Sequence, residues 1–231
     1  MRALRPLAPF VLLALSLPAG RAHARDGVDG APERATPGVF IVGDSHVQML
    51  GPMLTNRLEE AGVRVLGHEA RPGWSTLRYQ RRGDLREVLE AAGRPEVVVV
   101  SLGGNDIPAS AEAYEAQLRW VVTQARAAGA RHIVWLGPAT SDASRGERAR
   151  VVGARHERNA DWQRALLPRL GVTWVDSRPM TRRHHGRDGV HFTRAGYRAW
   201  SAGVLSDVTV AVAVEAGDRA VGAPEARDRP S

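Results

Sequence analysis

The sequence predicts a doubly wound α/β domain, with a five-stranded parallel sheet covered by helices on both faces. Five short runs rich in Val, Ile, Leu and Trp, at residues 39–42, 63–66, 97–102, 132–136 and 172–175, have the length and β-branching of buried strands. Helical stretches separate them. The apolar runs are continuous rather than alternating, as expected of strands buried on both faces by right-handed crossovers.

Taken in order, the first strand run leads through Gly43-Asp44-Ser45-His46 into a helix over about 47–61. The second is followed by Arg71-Pro72-Gly73-Trp74-Ser75-Thr76, and a helix is expected over 85–92. After the third strand comes Gly103-Gly104-Asn105-Asp106, then a helix over 111–128 that sets Tyr114, Leu118, Val121, Val122 and Ala125 on one side. Ser110 is placed to cap its N-terminus and Gly129 to stop it. A fourth helix is read over 147–167, and a fifth starts at Arg194. Residues 203–214 read either as a continuation of that helix or, from Asp207 on, as an alternating strand. Residues 216–231 lack a pattern and read as a disordered tail, and the Gly-, Pro- and charge-rich residues 25–37 as a flexible lead-in.

Residues 1–24 carry Arg2 and Arg5, an apolar run over 7–17, and Ala22-His23-Ala24. This is the form of a secretory signal peptide cleaved after Ala24, so the mature protein is expected in the bacterial periplasm or outside the cell, with no stable membrane span. The folded domain is then expected over 38–215.

Composition removes much chemistry. There is no Cys, and all 32 basic residues are Arg. Disulfides, thiolate nucleophiles, Schiff bases and Walker-type phosphate loops are excluded. The net charge of +7 falls to +4 once Arg2, Arg5 and Arg21 leave with the leader. Against 25 acids that is a mixed surface, and no nucleic-acid partner is expected.

In a sheet of this kind ligands sit beyond the carboxyl ends of the strands. Ser45 there is either an ordinary helix cap or a hydroxyl raised above the sheet at the positive end of a helix dipole. Gly73 is a plain turn or an unhindered N–H. Asn105, one of three Asn in the chain, is a turn residue or an oxyanion donor on a glycine-rich loop. Beyond the fifth strand, Asp188 stands three residues before His191, spaced to orient its imidazole toward a serine. A metal site built from His184, His185, Asp188 and His191 is the weaker alternative, because no second ligand cluster stands elsewhere.

Four such blocks in this order resemble the SGNH, or GDSL-type, hydrolases, and the resemblance spans roughly residues 39–201. It implies a flavodoxin-like three-layer α/β/α sandwich and an esterase needing no metal or other cofactor. Position by position it implies Ser45 as nucleophile, Asp188 and His191 as its triad partners, and Ser45, Gly73 and Asn105 as the oxyanion hole. His46 departs from the family, which usually has an apolar residue there. Together with Trp74 and Arg78 it is a candidate for the substrate rim. Arg71, Arg81 and Arg82, and Arg182, Arg183 and Arg187, are either further rim cations for an anionic substrate or solvated loop residues. The expected substrate is a small acyl ester, foremost an O-acetyl ester on carbohydrate. Lipid or lysophospholipid ester hydrolysis, acyl transfer to polysaccharide, and glycan binding without catalysis are the alternatives.

Overall fold

The computed structural model describes residues 36–221, so the leader at 1–24, most of the lead-in and the last ten residues lie outside the described residues. The elements run β1 (Val39–Gly43), α1 (Val47–Glu60), β2 (Val65–Ala70), α2 (Thr76–Arg82), α3 (Leu85–Ala91), β3 (Val97–Ser101), α4 (Ala111–Ala127), β4 (His132–Leu136), α5 (Glu147–Leu166), β5 (Thr173–Val175), α6 (Arg194–Gly203) and α7 (Leu205–Val221). All strands are parallel, in the order β2-β1-β3-β4-β5. This is the three-layer sandwich expected of the sequence, and the strand order reverses between β1 and β3, where such sheets open a crevice.

The buried strands divide their side chains by parity. Phe40, Val42, Val98, Val100, Ile133 and Trp135 enter a core with α2, α3, α4 and the end of α5. Val39, Ile41, Val97, Val99, Val134 and Leu136 enter a second core with α1, α6 and α7. Continuous apolar runs are thus required, since each successive residue meets a different helical layer. Ser110 caps α4 as expected, its hydroxyl accepting from the Ala113 N–H at 3.2 Å.

Four differences from the sequence reading have physical causes. The second strand lies at Val65–Ala70 rather than 63–66. It is an edge strand bonded only to β1, and half-buried Gly67 and Glu69 with an exposed His68 suffice there. Thr76–Arg82, read as a loop, is a helix capped by Ser75, whose hydroxyl accepts from the Arg78 N–H at 3.2 Å. The ambiguous 203–214 segment is helical, with Val204, Val208, Ala211 and Val212 buried in the second core. That helix continues to Val221, through residues assigned above to a patternless tail. Among the described residues, the stretch Arg194–Asp218 is long and apolar enough to cross a membrane, by length and composition alone.

Candidate active site

Ser45 lies on the turn between β1 and α1. The chain passes so close to β3 here that a Cβ on Gly43 would collide with Ser101 O and the Val47 side chain, which accounts for the glycine before Asp44-Ser45. The Ser45 hydroxyl does not cap α1. That first turn is held by Asp44, whose Oδ1 accepts the His46 N–H at 3.0 Å and whose backbone O accepts the Val47 N–H at 3.1 Å. Ser45 Oγ instead lies 2.9 Å from His191 Nε2.

His191 comes from the loop that joins β5 to α6. An isolated antiparallel bridge between His185 and Phe192 pins that loop, with the Gly186 N–H donating to His191 O at 2.6 Å. On its far side His191 Nδ1 stands 2.6 Å from Asp188 Oδ2, and Asp188 Oδ1 accepts the Val190 and His191 N–H groups, both at 3.0 Å. Burial pushes the Asp188 carboxyl up, but the His191 bond and the two backbone donors outweigh it and hold the group at about 2. Asp188 is therefore a fixed anion that sets the tautomer of His191. A hydroxyl on an imidazole that is itself oriented by a carboxylate is the geometry of general-base activation.

The third loop, after β3, is braced by polar side chains in the core. Gly103 has φ +127° and no room for a side chain beside Pro138 and the Tyr114 hydroxyl. Asn159 Nδ2 donates to Gly103 O and Asp106 O, both at 2.8 Å, and Gln163 Nε2 to Leu102 O at 2.9 Å. Asp106 ties this loop to the one after β2, its Oδ1 accepting from the Thr76 N–H at 2.8 Å and the Thr76 hydroxyl at 2.6 Å. Asn105 spans the gap between them. Its Nδ2 donates to Asp44 Oδ2 and to Trp74 O, each at 3.1 Å.

Ser45, Gly73, Asn105 and His191 line one cavity of about 270 Å³ together with Asp44, His46, Pro72, Gly104 and Val190. The structure thus brings the four sequence-derived blocks together, with Asp188 behind His191. Sequence reasoning missed the remaining wall, formed by Arg148, Val152, Arg155 and His156 of α5. Their spacing of four, three and one is one helical face. Nothing in the sequence tied that face to Ser45, because the contact depends on how α5 crosses the sheet ends.

Of the three rim candidates, His46 lines the cavity and Arg78 stands beside its Gly73, whereas Trp74 is turned away from it. His46 is buried, its Nδ1 3.1 Å from the Tyr197 hydroxyl and its ring 5.8 Å from Phe192 and 5.4 Å from Trp200. Burial, reinforced by the neighbouring His156 and His191, pulls its imidazole down to about 3, so it is a neutral part of the cavity floor. Trp74 does not line the cavity. It packs half-buried against the first core, with Tyr79 edge-on at 5.0 Å and the Arg71 guanidinium 4.4 Å above its ring. Arg78 is exposed, and its Nη1 reaches back to Gly73 O at 3.3 Å.

The other arginines read as possible rim cations also stand outside this wall. Arg71 is bonded to Glu69 and, at 2.7 and 3.2 Å, to both Asp84 oxygens. Arg82 pairs with Asp84. Arg182 and Arg183 line a separate open groove with Thr140–Arg145. The alternative metal set is not assembled. His185 Nε2 faces Thr140 O at 3.2 Å, and no group of three or more potential ligands occurs among the described residues.

The sequence profile of the GDSL-like lipase/acylhydrolase family matches residues 36–199. The chain belongs to this family. Solved structures of similar fold include a lipase/acylhydrolase from Enterococcus faecalis, 18% identical, covering 75% of this chain and 96% of its own, with a TM-score of 0.60. A carbohydrate esterase family 3 protein from Talaromyces cellulolyticus is 15% identical, covering 77% and 99%, with a TM-score of 0.63. A carbohydrate acetylesterase from Sinorhizobium meliloti is 15% identical, covering 75% and 99%, at 0.61. Comparison with curated protein sequences gives no significant match. The chain is accordingly a hydrolase of the GDSL-like family, with esterases among its structural neighbours.

Proposed function

We propose that the protein is an exported serine esterase that hydrolyses small acyl esters, foremost O-acetyl esters on carbohydrate, through Ser45, His191 and Asp188. The observation that carries this reading is the bonded series from Ser45 Oγ through His191 to Asp188, at 2.9 and 2.6 Å, opening into a cavity of about 270 Å³. A space of that size suits a short acyl group better than a long chain, since drug-sized ligands occupy about 300–1,000 Å³. The carbohydrate-acting neighbours support the substrate class.

In this reading His191 Nε2 takes the Ser45 proton as Oγ attacks the ester carbonyl. The tetrahedral oxyanion is held by the Ser45 and Gly73 N–H groups and the Asn105 amide, where it competes with Asp44 Oδ2 and Trp74 O for the Asn105 protons. His191 then protonates the departing alcohol, leaving an acyl-Ser45 ester. A water deprotonated by the same imidazole attacks that ester and releases the acid, returning the proton to Ser45. No step calls for a metal or an organic cofactor. Export rests on Arg2, Arg5, the apolar run and Ala22-His23-Ala24, and is checked by finding a mature N-terminus at Arg25 in the periplasm or medium.

The test is an ester panel read by rate and intact mass: acetylated glycans, 4-nitrophenyl esters of increasing chain length, and lysophospholipid. The proposal expects acetyl transfer to Ser45 and fastest turnover of acetyl esters. Faster turnover of long-chain esters or lysophospholipid would reverse the substrate order, and absence of any acyl adduct or turnover would remove the esterase reading.

A further inference from the structure

The wall contributed by α5 is cationic. Arg148 and Arg155 stand two helical turns apart on one face, with Val152 between them, and both line the cavity that holds Ser45 and His191. Among the described residues neither has an ion pair or a side-chain hydrogen bond, whereas Arg71, Arg82, Arg119, Arg145, Arg150 and Arg178 all pair with carboxylates. Arg155 is half-buried, and its Nε is buried without a partner.

A guanidinium taken partly out of water without a counter-charge is costly, and such groups in a cleft beside reactive residues mark binding sites. The acids nearest Arg155 do not supply the missing partner. Asp106 has both oxygens engaged, by Thr76 and Tyr114. Asp44 has both engaged, by the His46 N–H and the Asn105 amide. Both carboxyls favour the guanidinium at a distance, Asp106 more than Asp44, yet burial outweighs them and pulls Arg155 below its ordinary value.

We propose that Arg155 and Arg148 form a carboxylate-binding subsite, so that the preferred substrate is an ester bearing a carboxylate close to the bond that is cleaved. This rests on the esterase reading above and narrows its substrate class to anionic acyl esters. A carboxylate offers two coplanar acceptors, the match for a guanidinium fork. Bound there, it fills the empty side of Arg155 and fixes the ester relative to Ser45. The carboxylate can lie on the alcohol portion, as in an O-acetylated hydroxy acid or uronic acid, or on the acyl portion, as in a half-ester of a dicarboxylic acid.

The experiment compares two charged esters with their neutral methyl esters. Acetoxyacetate places the charge on the alcohol side and mono-4-nitrophenyl succinate on the acyl side. At low ionic strength at least one charged ester is expected to exceed its neutral partner by about ten-fold or more in kcat/KM, and the ratio is expected to fall toward one as salt approaches about 0.5 M. Arg155→Met should collapse the ratio, and Arg148→Gln should reduce it. Charged esters no better than neutral ones, or a preference that survives both substitutions, would overturn the subsite. Should Arg155→Met not fold, the salt dependence of the native protein and Arg148→Gln, at an exposed position, decide the matter. Hydrolysis of neutral esters without charge preference defeats only the subsite. Failure of all four esters, with no adduct on Ser45, defeats the esterase reading and the subsite with it.

Discussion

Asn105 Nδ2 lies 3.1 Å from Oδ2 of Asp44, the residue immediately before Ser45. One buried carboxyl thereby spans two of the loops that meet at the cavity, since its other oxygen holds the first turn of α1 through the His46 N–H. Burial pushes Asp44 up to about 7, the His46 N–H opposing it in part.

The pH dependence of stability follows from the sign of that shift. An acid held at about 7 when folded, and at about 3.8 when unfolded, binds more protons in the folded chain across that interval. Its contribution to stability is therefore lost as pH rises from about 4 to 7. His46 and His156 run the other way. Burial holds their imidazoles at about 3 and about 4, against 6.5 unfolded, so their contribution is lost as pH falls below 6.5. Asp44→Asn removes one acceptor at every pH but abolishes only the Asp44 slope. Its Tm relative to the native protein is expected to be higher at pH 8 than at pH 4, read by thermal unfolding across that range; a difference independent of pH contradicts the assignment.

Ser45 and Asn105 are expected to separate chemistry from support. Ser45→Ala should abolish hydrolysis of 4-nitrophenyl acetate and labelling by a fluorophosphonate. Asn105→Ala should keep the labelling while losing roughly 100- to 1,000-fold in kcat, the cost of one oxyanion donor. Full activity in Ser45→Ala would sink the mechanism.

Asp188→Asn tests the orienting role. The amide can still accept the Val190 and His191 N–H groups but no longer stabilises the imidazolium, and kcat should fall by about 10³- to 10⁴-fold with little change in KM. A loss confined to KM would show that Asp188 acts on binding instead.

Asp106 binds the Thr76 N–H and hydroxyl from inside the core. Asp106→Ala leaves the Thr76 N–H buried and unpaired, while the Thr76 hydroxyl keeps Gln117 Oε1 at 3.0 Å as an acceptor, and should cost about 2–3 kcal/mol in urea unfolding. Because the same contacts set Gly73 against Asn105, kcat should drop about ten-fold even well below the unfolding midpoint. Normal kcat in the folded variant would separate loop position from catalysis.

The sequence by itself determined β1, β3 and β4, because a strand buried on both faces needs an unbroken apolar run. It also determined the order of the four blocks at the strand ends, because parallel connections return every strand to the same edge. It could not determine β2, whose place at the sheet edge relaxes the demand for apolar residues, nor α2, whose Arg81 and Arg82 read as loop. The ambiguous segment after Gly203 became a helix only because Val204, Val208 and Val212 meet the second core together. At the cavity, Ser45, Gly73, Asn105, Asp188 and His191 were legible because each sits where local chain geometry ends a strand or begins a helix. The fate of His46 and Trp74 was not, since their surroundings come from α6 and from Arg71 and Tyr79. Only the tertiary structure put Arg148 and Arg155 beside Ser45, because a residue's distance from a site about a hundred positions earlier in the chain is set by helix packing and leaves no mark in local pattern.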